Sequence, residues 1–380
     1  MKHQYFDAGG VPSAAHAFKR SAVVGIGSWG TALAATLAEN GTSVRIWGRR
    51  ADAIQDINTN HRNEAYVADA PLPQSLYAVH KMSDAVRDAD VVLIVVPSSA
   101  IRSVSRQVSE YLAPGTPVAI CAKGIEAETG LLMTQIAEEE LPGHPVGCVS
   151  GPTFARETIL RHPTAATVAF PFSPLHRISP ETSPAVRLAV SLTTEHFRAY
   201  VSDDLVGVEI GGAVKNVIAL ACGMLTGAGF ADNTRAALIT RGLDEMKLLS
   251  NALGGRRETL TGLSGLGDLT LTCSSTTSRN MSLGLQLGRG IPREECFDGR
   301  PVVVEGEANA VSITDLARKL GVDMPICETV RAILHEGADL GQAFAALWAR
   351  PIEAEPMAMD FAIAHPATDQ DIATLAERIS

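Results

Sequence analysis

Lys215 is the residue of this sequence best suited to acid/base chemistry. It follows Gly211 and Gly212 in an apolar stretch whose spacing of three and four residues predicts a helix over 205–225. Each glycine costs about 1 kcal/mol relative to alanine inside a helix, so two in succession predict that another segment approaches this backbone closely. A lysine on such a small-residue face is partly removed from water, which favours the neutral amine and makes Lys215 a candidate proton donor or acceptor. Ordinary packing of the helix against a neighbour is the alternative.

Two segments rich in glycine or hydroxyl groups carry the next candidate residues. The segment GLSGLGDL contains Asp268, whose carboxylate could orient Lys215. The segment TTSRN precedes a helical pattern, and hydroxyl, guanidinium and amide groups at the start of a helix suit a phosphate. Ser278, Arg279 and Asn280 are therefore candidate phosphate contacts. A serine N-cap beside a solvated arginine is the alternative.

A dinucleotide-binding unit is predicted in residues 21–50. An apolar, β-branched run leads into Gly25, Gly27 and Gly30, where helical periodicity begins. In the spacing G-x-G-x-x-G, the first glycine allows a tight turn, the second admits a pyrophosphate and the third lets the helix pack on the strand, with the phosphate at the helix N-terminus. The strand before, the helix after and a second strand at 44–47 favour this interpretation over an ordinary glycine turn.

The residues after that second strand indicate which dinucleotide binds. An NAD site usually has Asp or Glu here for the ribose 2′-hydroxyl, whereas Arg49 and Arg50 could receive a 2′-phosphate. The sequence therefore predicts NADPH, with NADH as the other form of the cofactor. Two solvated arginines after a strand are the alternative.

Two more candidate positions follow predicted strands, at the edge where α/β sheets bind their ligands. Lys123 comes after a strand at 117–121 and is placed toward the cofactor crevice, unless it is a surface lysine. A strand at 146–149 runs into SGPTFA, a tight loop whose hydroxyl and N–H groups suit a phosphate or a nicotinamide. The continuous β-branched run at 91–96 is typical of a central parallel strand.

These patterns predict an α/β protein in which an N-terminal Rossmann-like, doubly wound domain precedes a mainly α-helical C-terminal domain. Long β-branched runs stop near Ser202, and helical periodicity takes over. The expected parts are an N-terminal extension at 1–20, the NAD(P)-binding domain at 21–201, a helical substrate and catalytic domain at 202–350 and a tail at 351–380. Within the first domain we expect a proline-rich surface excursion at 170–184 and strand-like segments over 185–200.

Composition narrows the class of protein. The chain has 380 residues, 46% apolar and 19% charged, which is typical of a soluble protein with two domains. The net charge of -10 argues against a general nucleic-acid or bilayer surface, and the longest apolar stretch is shorter than the roughly 20 residues of a membrane span. Six scattered cysteines predict neither a disulfide framework nor a metal site. Together with the polar first twenty residues, they indicate the cytoplasm.

Eight segments of the chain occur in the order that one enzyme family shows. They are GIGSWGTALA, CAKGIEAETG, SGPTFA, GGAVKNVIALACGM, TRAALITRGLDEM, GLSGLGDLTLTC, TSRN and VVVEG. Over residues 22–350 the chain resembles the bacterial-type NAD(P)-dependent glycerol-3-phosphate dehydrogenases. The resemblance implies reversible hydride transfer between NAD(P)H and dihydroxyacetone phosphate, giving sn-glycerol 3-phosphate for phospholipid synthesis, and a homodimer.

The resemblance also implies roles for individual residues. Lys215 matches the proton acceptor, Lys123 a contact to both cofactor and substrate, and Asp268 a substrate contact in the same catalytic group. Other implied cofactor contacts are Ser28, Trp29, Arg49, its neighbour Arg50, Ala155, Arg279, Val303 and Glu305. Other implied substrate contacts are Gly151, Thr153, Ser278, Arg279 and Asn280.

Three features depart from the family pattern: the N-terminal extension, the 170–184 excursion, and Glu307-Ala308 after VVVEG, where an aromatic or basic pair is expected. The last departure affects how that loop covers the cofactor and whether product regulation is retained. Two rival functions stay open. One is a two-domain dehydrogenase of the 3-hydroxyacid or ketopantoate reductase type, against which TSRN indicates a phosphorylated substrate. The other is a catalytically silent NADPH-binding sensor, which has no reason to retain Lys215 and Asp268.

Overall fold

The computed structural model describes residues 16–68, 70–353 and 362–379. Most of the expected N-terminal extension, up to residue 15, lies outside the described residues. Its last part belongs to the fold, because Phe18 is 1% exposed and its N–H donates to the Ser191 hydroxyl at 2.8 Å. The guanidinium carbon of Arg187 lies 4.1 Å from the centre of the Phe18 ring. The described fold thus includes residues ahead of the expected boundary at Ser21.

Eight strands form one mostly parallel sheet. They are β1 (Arg20–Val24), β2 (Ser43–Trp47), β3 (Leu76–Val79), β4 (Val91–Ile94), β5 (Val118–Ile120), β6 (Val146–Ser150), β7 (Thr164–Ala169) and β8 (Phe197–Ser202). Their order in the sheet is β3-β2-β1-β4-β5-β6-β7-β8, in which β6 and β7 pair antiparallel and the other neighbours pair parallel. The order reverses between β1 and β4, which is where doubly wound sheets bind their ligands.

The described helices fall into two groups along the chain. Those up to the last strand of the sheet are α1 (Ser28–Glu39), α2 (Ala51–Asn60), α3 (Glu64–Val67), α4 (Met82–Val86), α5 (Ile101–Ser109), α6 (Met133–Glu140), α7 (Ala155–Ile159), α8 (Pro174–Ile178) and α9 (Pro184–Leu192). Those after it are α10 (Leu205–Gly227), α11 (Asp232–Ala252), α12 (Asp268–Ser274), α13 (Arg279–Gly288), α14 (Glu305–Leu320), α15 (Pro325–His335), α16 (Leu340–Trp348) and α17 (Asp369–Ile379). The short strands β9 (Ile352–Glu353) and β10 (Ala362–Ile363) pair antiparallel.

Helices cover the sheet on both faces. All four residues of β4 are buried, as expected for a continuous β-branched run in a central strand. Successive residues alternate between two hydrophobic cores, with Leu93 in one and Ile94 in the other. Helices α1 and α9 contribute side chains to the first core, and α5 and α6 to the second. This arrangement confirms the predicted doubly wound class.

The prediction of strands over residues 185–200 is wrong for its first half. Residues 184–192 form α9, which begins with Pro184 at its first position and with the Ser183 hydroxyl accepting a hydrogen bond from the Ala185 N–H at 3.2 Å. Both residues are known helix-start signals, which the alternation of apolar residues obscured. Only β8, which follows, is a strand. The proline-rich excursion itself contains α8, which Ser173 caps.

Helices also continue beyond α15 into the expected tail. Helix α16 buries Phe344 and Ala345, and α17, in the expected tail, packs against α16.

The chain divides into two compact units, each discontinuous in sequence. The first unit comprises the chain to Glu126, Leu131–Gly212 and Gly254–Asp268, and the second comprises Ala127–Gly130, Ala213–Leu253 and Leu269 onward. The first unit contains the sheet, and the second is helical apart from β9 and β10. Because Gly254–Asp268 returns to the first unit, this division differs from the expected boundary between residues 201 and 202.

Helix α10, which carries Gly211, Gly212 and Lys215, is the one helix in the described part of the chain that is long and apolar enough to cross a membrane. Of its most apolar window, 89% is buried within the structure. Such burial is typical of the core helix of a globular protein, where all sides are apolar.

Candidate active site

The turn between β1 and α1 has the geometry that the glycine spacing predicts. Gly25 has a φ of +132°, and a Cβ there would lie 2.1 Å from the Val95 carbonyl oxygen. A Cβ on Gly30 would lie 1.8 Å from the carbonyl oxygen of Gly25, so the fold itself requires both glycines. A Cβ on Gly27 would meet no atom within 4 Å. The open side of Gly27, at the N-terminus of α1, fits the approach of a pyrophosphate.

Side chains from the segment around α3 hold this turn in place. The Asn63 amide donates to the Ile26 carbonyl at 3.0 Å and to the Thr31 hydroxyl at 2.8 Å. The hydroxyl of Ser28 donates to the carbonyl of Tyr66 at 2.7 Å. Trp29, another predicted cofactor contact, is partly buried against the core below. The turn is therefore fixed by hydrogen bonds that the fold provides.

The two arginines after β2 have different surroundings. Arg50 forms an ion pair with Asp52, and its guanidinium carbon lies 5.5 Å from the centre of the Tyr66 ring. Arg49 is exposed, and no hydrogen bond or ion pair joins its side chain to another of the described residues. Arg50 already pairs with Asp52, so Arg49 is the better placed of the two to bind a 2′-phosphate.

Lys123 and Asp268 form a buried ion pair within the first unit. The Lys123 ammonium donates to Asp268 Oδ2 at 2.5 Å and to the Gly151 carbonyl at 3.3 Å, and Asp268 is 1% exposed. The hydroxyl of Thr153 donates to the same carbonyl at 3.3 Å. Asp268, which the sequence analysis proposed to orient Lys215, thus has Lys123 as a partner within its own unit. Four of the predicted site residues are thus brought together.

The two glycines of α10 allow this group to form. A Cβ on Gly211 would lie 2.3 Å from the Ser264 carbonyl oxygen, and one on Gly212 would lie 3.1 Å from Cγ of Lys123 and 3.0 Å from the hydroxyl of Ser150. The predicted close approach to this backbone is confirmed. Ser150 was not predicted as a site residue. Its hydroxyl is buried without a hydrogen-bond partner among the described residues, an exception to the pairing usual for buried polar groups.

Lys215 lies in the second unit and is 7% exposed. Its ammonium donates to the hydroxyl of Thr272 at 2.8 Å. The sequence analysis did not single out Thr272, although the spacing in GLGDLTLTC could have done so. Asp268 and Thr272 are four residues apart on α12, and such residues share one face of a helix.

A second polar network in the same unit joins α10, α13 and α14. The Asn280 amide donates to Asn216 Oδ1 at 2.9 Å, and Asn280 Oδ1 accepts from the Gly306 N–H at 2.9 Å. The Asn216 amide in turn donates to Glu305 Oε2 at 3.4 Å. Arg279 extends the network, with its guanidinium 3.6 Å from Glu305 Oε1. Asn216, beside Lys215, is a member that the sequence analysis missed.

The last three predicted site residues are Ser278, Ala155 and Val303. The Ser278 hydroxyl caps α13 by accepting from the Met281 N–H at 3.3 Å, as the N-cap alternative predicts. Ala155 is the first residue of α7. Val303 is 65% exposed in the extended segment before α14. Of these three, only Val303 presents an apolar side chain to solvent, where a ligand can cover it.

The buried thiols near Lys123 are unsuited to nucleophilic catalysis. Burial raises the pKa of the Cys121 thiol, an effect that the charge of Lys123 opposes without overcoming. Burial, and next to it the charge of Glu209, raises the pKa of Cys148 as well. Both sulfurs therefore stay protonated at neutral pH, whereas a nucleophilic cysteine needs its thiolate. The described residues contain no group of three metal-ligating side chains.

Two family models together match most of the chain. The N-terminal model of NAD-dependent glycerol-3-phosphate dehydrogenase matches residues 20–173, and the C-terminal model of the same enzyme matches residues 204–345. The chain belongs to this family. The resemblance seen in the sequence is thereby confirmed, and the turn, the ion pair and the polar network described above all lie inside the matched ranges.

Relatives in the family are similar over nearly their whole length. A glycerol-3-phosphate dehydrogenase [NAD(P)+] of Parvibaculum lavamentivorans is 44% identical over 340 residues, which is 89% of this chain and 99% of the relative. One of Caulobacter vibrioides is 42% identical over 338 residues, with the same shares. The crystal structure of glycerol-3-phosphate dehydrogenase from Coxiella burnetii has a TM-score of 0.80 at 37% identity and covers 88% of this chain and 100% of its own. A ketopantoate reductase from Ralstonia eutropha, at 18% identity and a TM-score of 0.55, shares the fold alone.

Proposed function

We propose that this protein catalyses reversible hydride transfer between NAD(P)H and dihydroxyacetone phosphate, giving sn-glycerol 3-phosphate. Membership of the dehydrogenase family over residues 20–173 and 204–345 carries the proposal. The glycine turn supports it, because the backbone at Gly27 is open where a pyrophosphate approaches. Bound NADPH supplies the hydride in this reaction.

Lys215 is the proposed proton donor for reduction and the acceptor for oxidation. Reducing a ketone to an alcohol requires a proton at oxygen, and a positioned ammonium both stabilises the developing negative charge and supplies that proton. The hydroxyl of Thr272, which accepts from the Lys215 ammonium at 2.8 Å, directs the amine and limits its rotamers. In the reverse direction the neutral amine takes the proton back.

Lys123 and Asp268 have a supporting role in the proposal. The buried Asp268 carboxylate, 2.5 Å from the Lys123 ammonium, holds that side chain beside the Gly151 carbonyl. The ammonium of Lys123 suits the anionic substrate and cofactor, both of which the family resemblance implies that it contacts. Gly151, Thr153 and the unpartnered Ser150 hydroxyl complete the polar surface around it.

Arg279 is the proposed contact to the substrate phosphate. Of the TSRN group, Asn280 already uses its amide within the network to Asn216 and Gly306, and Ser278 caps α13. The side chain of Arg279 is 54% exposed, and its guanidinium suits a phosphate. Arg279, Val303 and Glu305 are also proposed to contact the cofactor, as are Ser28, Trp29, Arg49 and Ala155.

Four further points follow from the family and the exposed Arg49. We propose NADPH as the preferred cofactor, the first unit as its principal binding unit, the cytoplasm as the location and phospholipid synthesis as the use of the product. A homodimer is the expected assembly, which light scattering on the purified protein would measure.

The direct test is a spectrophotometric assay of NADPH oxidation with dihydroxyacetone phosphate. Turnover with this substrate, and little with ketopantoate or 3-oxoacids, is the expected result. Loss of NADPH absorbance with ketopantoate alone would support the reductase rival. Tight NADPH binding without oxidation by any of these substrates would support the silent sensor.

The Lys215→Ala variant tests the proton transfer. We expect kcat to fall on the order of 10²- to 10⁴-fold, the usual contribution of a general acid or base. Lys319→Ala is the matched control, because Lys319 is an exposed lysine of α14 in the same unit. Near-normal turnover of the Lys215 variant would remove that residue from the mechanism.

A further inference from the structure

The Arg293 guanidinium contacts both ends of the segment from Val302 to Glu307, which leads into α14. Arg293 Nε lies 2.6 Å from Glu307 Oε1, and its Nη2 lies 2.9 Å from Glu307 Oε2. The same Nη2 donates to the Val302 carbonyl at 3.3 Å. The four residues between these two contacts, 303–306, include Val303 and Glu305. Arg293 therefore brackets two of the proposed cofactor contacts without being one of them.

The pair is stronger than a typical surface ion pair. It is bidentate, and the side chains of Arg293 and Glu307 are only 37% and 24% exposed. Glu307 lies in the first turn of α14, where a carboxylate is also favoured by the helix dipole. The Nε2 of His335 donates to the backbone carbonyl of Glu307 at 2.9 Å, which ties the same turn to α15.

The inner side of the segment is fixed as well. The Gly306 N–H donates to Asn280 Oδ1, and Glu305 accepts from Asn216. Upstream, Phe297 and Asp298 have φ values of 57° and 58°, so two successive residues with a Cβ lie in the left-handed region. Such backbone persists only where its surroundings hold it, and here Gln286 accepts from the Phe297 N–H at 2.8 Å.

We propose that Arg293 and Glu307 are positioning residues for the cofactor: their ion pair sets the conformation in which Val303 and Glu305 are presented to it. This rests on the proposed function, and it gives a purpose to Glu307 at the position where the sequence departs from the family pattern. An aromatic or basic residue at 307 could not form this pair with Arg293.

The test measures NADPH affinity in Arg293→Met, both by fluorescence titration and by KM. We expect Kd and KM for NADPH to rise on the order of tenfold, because a charge-assisted bidentate contact that fixes the segment is lost. The value of kcat should stay within about twofold, since Arg293 takes no part in the proton transfer. A purely structural role would instead lower the unfolding temperature and leave the Kd unchanged.

Arg300→Met is the matched control. Arg300 lies in the same loop and loses the same charge, but its partner is Asp298, and both side chains are largely exposed at 76% and 84%. Equal Kd values in the two arginine variants would overturn the proposal, as would a fall in kcat without a change in KM. If Arg293→Met loses the native circular dichroism spectrum, Glu307→Gln carries the same test with the volume kept.

The exchange variant Arg293→Glu/Glu307→Arg restores the pair with its charges reversed. Partial recovery of the NADPH affinity is expected, because a carboxylate at position 293 restores the ion pair but cannot donate to the Val302 carbonyl. A Kd as weak as in the single variants would contradict the proposal. Because the titration needs no substrate, its outcome is separate from that of the assay with dihydroxyacetone phosphate. A protein that binds NADPH but does not turn over that substrate would end the proposed function and leave this inference standing.

Discussion

Two proposed cofactor contacts are built in opposite ways. The turn from Gly25 to Gly30 is shaped by contacts between backbone atoms. An added Cβ at Gly30 or Gly25 would lie only 1.8 or 2.1 Å from a carbonyl oxygen. The segment from Val302 to Glu307 is formed by side chains, with one guanidinium at its ends and Asn280 on its inner side. The first kind of site depends on close contacts between backbone atoms, and the second on contacts between side chains.

The two regions should respond differently to substitution. The turn cannot accommodate a side chain at Gly25 or Gly30, because one added carbon would overlap a backbone carbonyl oxygen that cannot move independently of the chain. A side-chain-built segment can be loosened by steps while the fold stays intact. Substitutions in the turn should therefore act on folding or on ligand approach, and those in the segment mainly on affinity.

The largest effect should come from Gly30→Ala, and the sharpest contrast from Gly27→Ala. We expect Gly30→Ala to lower the free energy of unfolding by about 3 kcal/mol or more, because the new Cβ overlaps the Gly25 carbonyl. Gly27→Ala has open space and an ordinary φ of -67°, so it should fold normally and raise KM for NADPH on the order of tenfold or more.

Urea denaturation and steady-state kinetics of the two variants check this pair of outcomes. A Gly27→Ala protein as unstable as Gly30→Ala would show that the turn is uniformly constrained. An unchanged KM in Gly27→Ala would show that no phosphate approaches the turn from its open side.

The next effect concerns both units, since in each a buried glutamate accepts a hydrogen bond from the N-terminal turn of another helix. In the first unit, Glu209 Oε1 accepts from the Thr134 N–H at 3.0 Å, and in the second, Glu245 Oε1 accepts from the Ile326 N–H at 2.6 Å. Burial raises the pKa of each to about 7. A carboxyl whose pKa is higher in the folded than in the unfolded protein stabilises the fold below its unfolded pKa and loses that contribution as pH rises.

The free energy of unfolding should therefore decrease between about pH 5 and pH 8, by about 3 kcal/mol for each glutamate. Glu209→Gln, which keeps the size of the side chain, should remove its own share of this decrease. Glu245→Gln should remove the other share. Identical pH profiles of the wild type and both variants, measured by urea denaturation, would contradict the assignment.

The smallest effects should separate the two arginines that follow β2. Arg49→Asp should shift the ratio of kcat/KM from NADPH toward NADH on the order of tenfold or more, because a carboxylate replaces the available guanidinium. Arg50→Ala should change the ratio by less than about threefold, since Asp52 already neutralises that charge. A larger shift from Arg50 than from Arg49 would reverse their assigned roles.

The sequence predicted the elements whose signals are local. The doubly wound sheet and the turn at Gly25 to Gly30 followed from periodicity and from what glycine permits. The close approach at Gly211 and Gly212 was predicted from the cost of glycine in a helix. Helix α9 was missed because its apolar residues were weighed more heavily than the Ser183 and Pro184 that start it.

The pairing of side chains could not be predicted in the same way. Lys123 and Asp268 are 145 residues apart, and nothing in either segment indicates the other. Thr272 as a partner of Lys215 depends on how α10 and α12 pack, which is a property of tertiary structure. The residue types and the order of the motifs identified candidate site residues. Which of these side chains pair with each other became known only from the fold.

The discontinuity of the first unit has a consequence for how the protein is made. The last strand of the sheet is complete at Ser202, but Asp268, the counter-charge of Lys123, is translated only after α11. On the ribosome, a nascent chain with the whole sheet outside the exit tunnel still lacks that carboxylate. A gene fragment cut after Ser202 would encode the whole sheet without the counter-charge of Lys123, so the first unit cannot be obtained by a single cut.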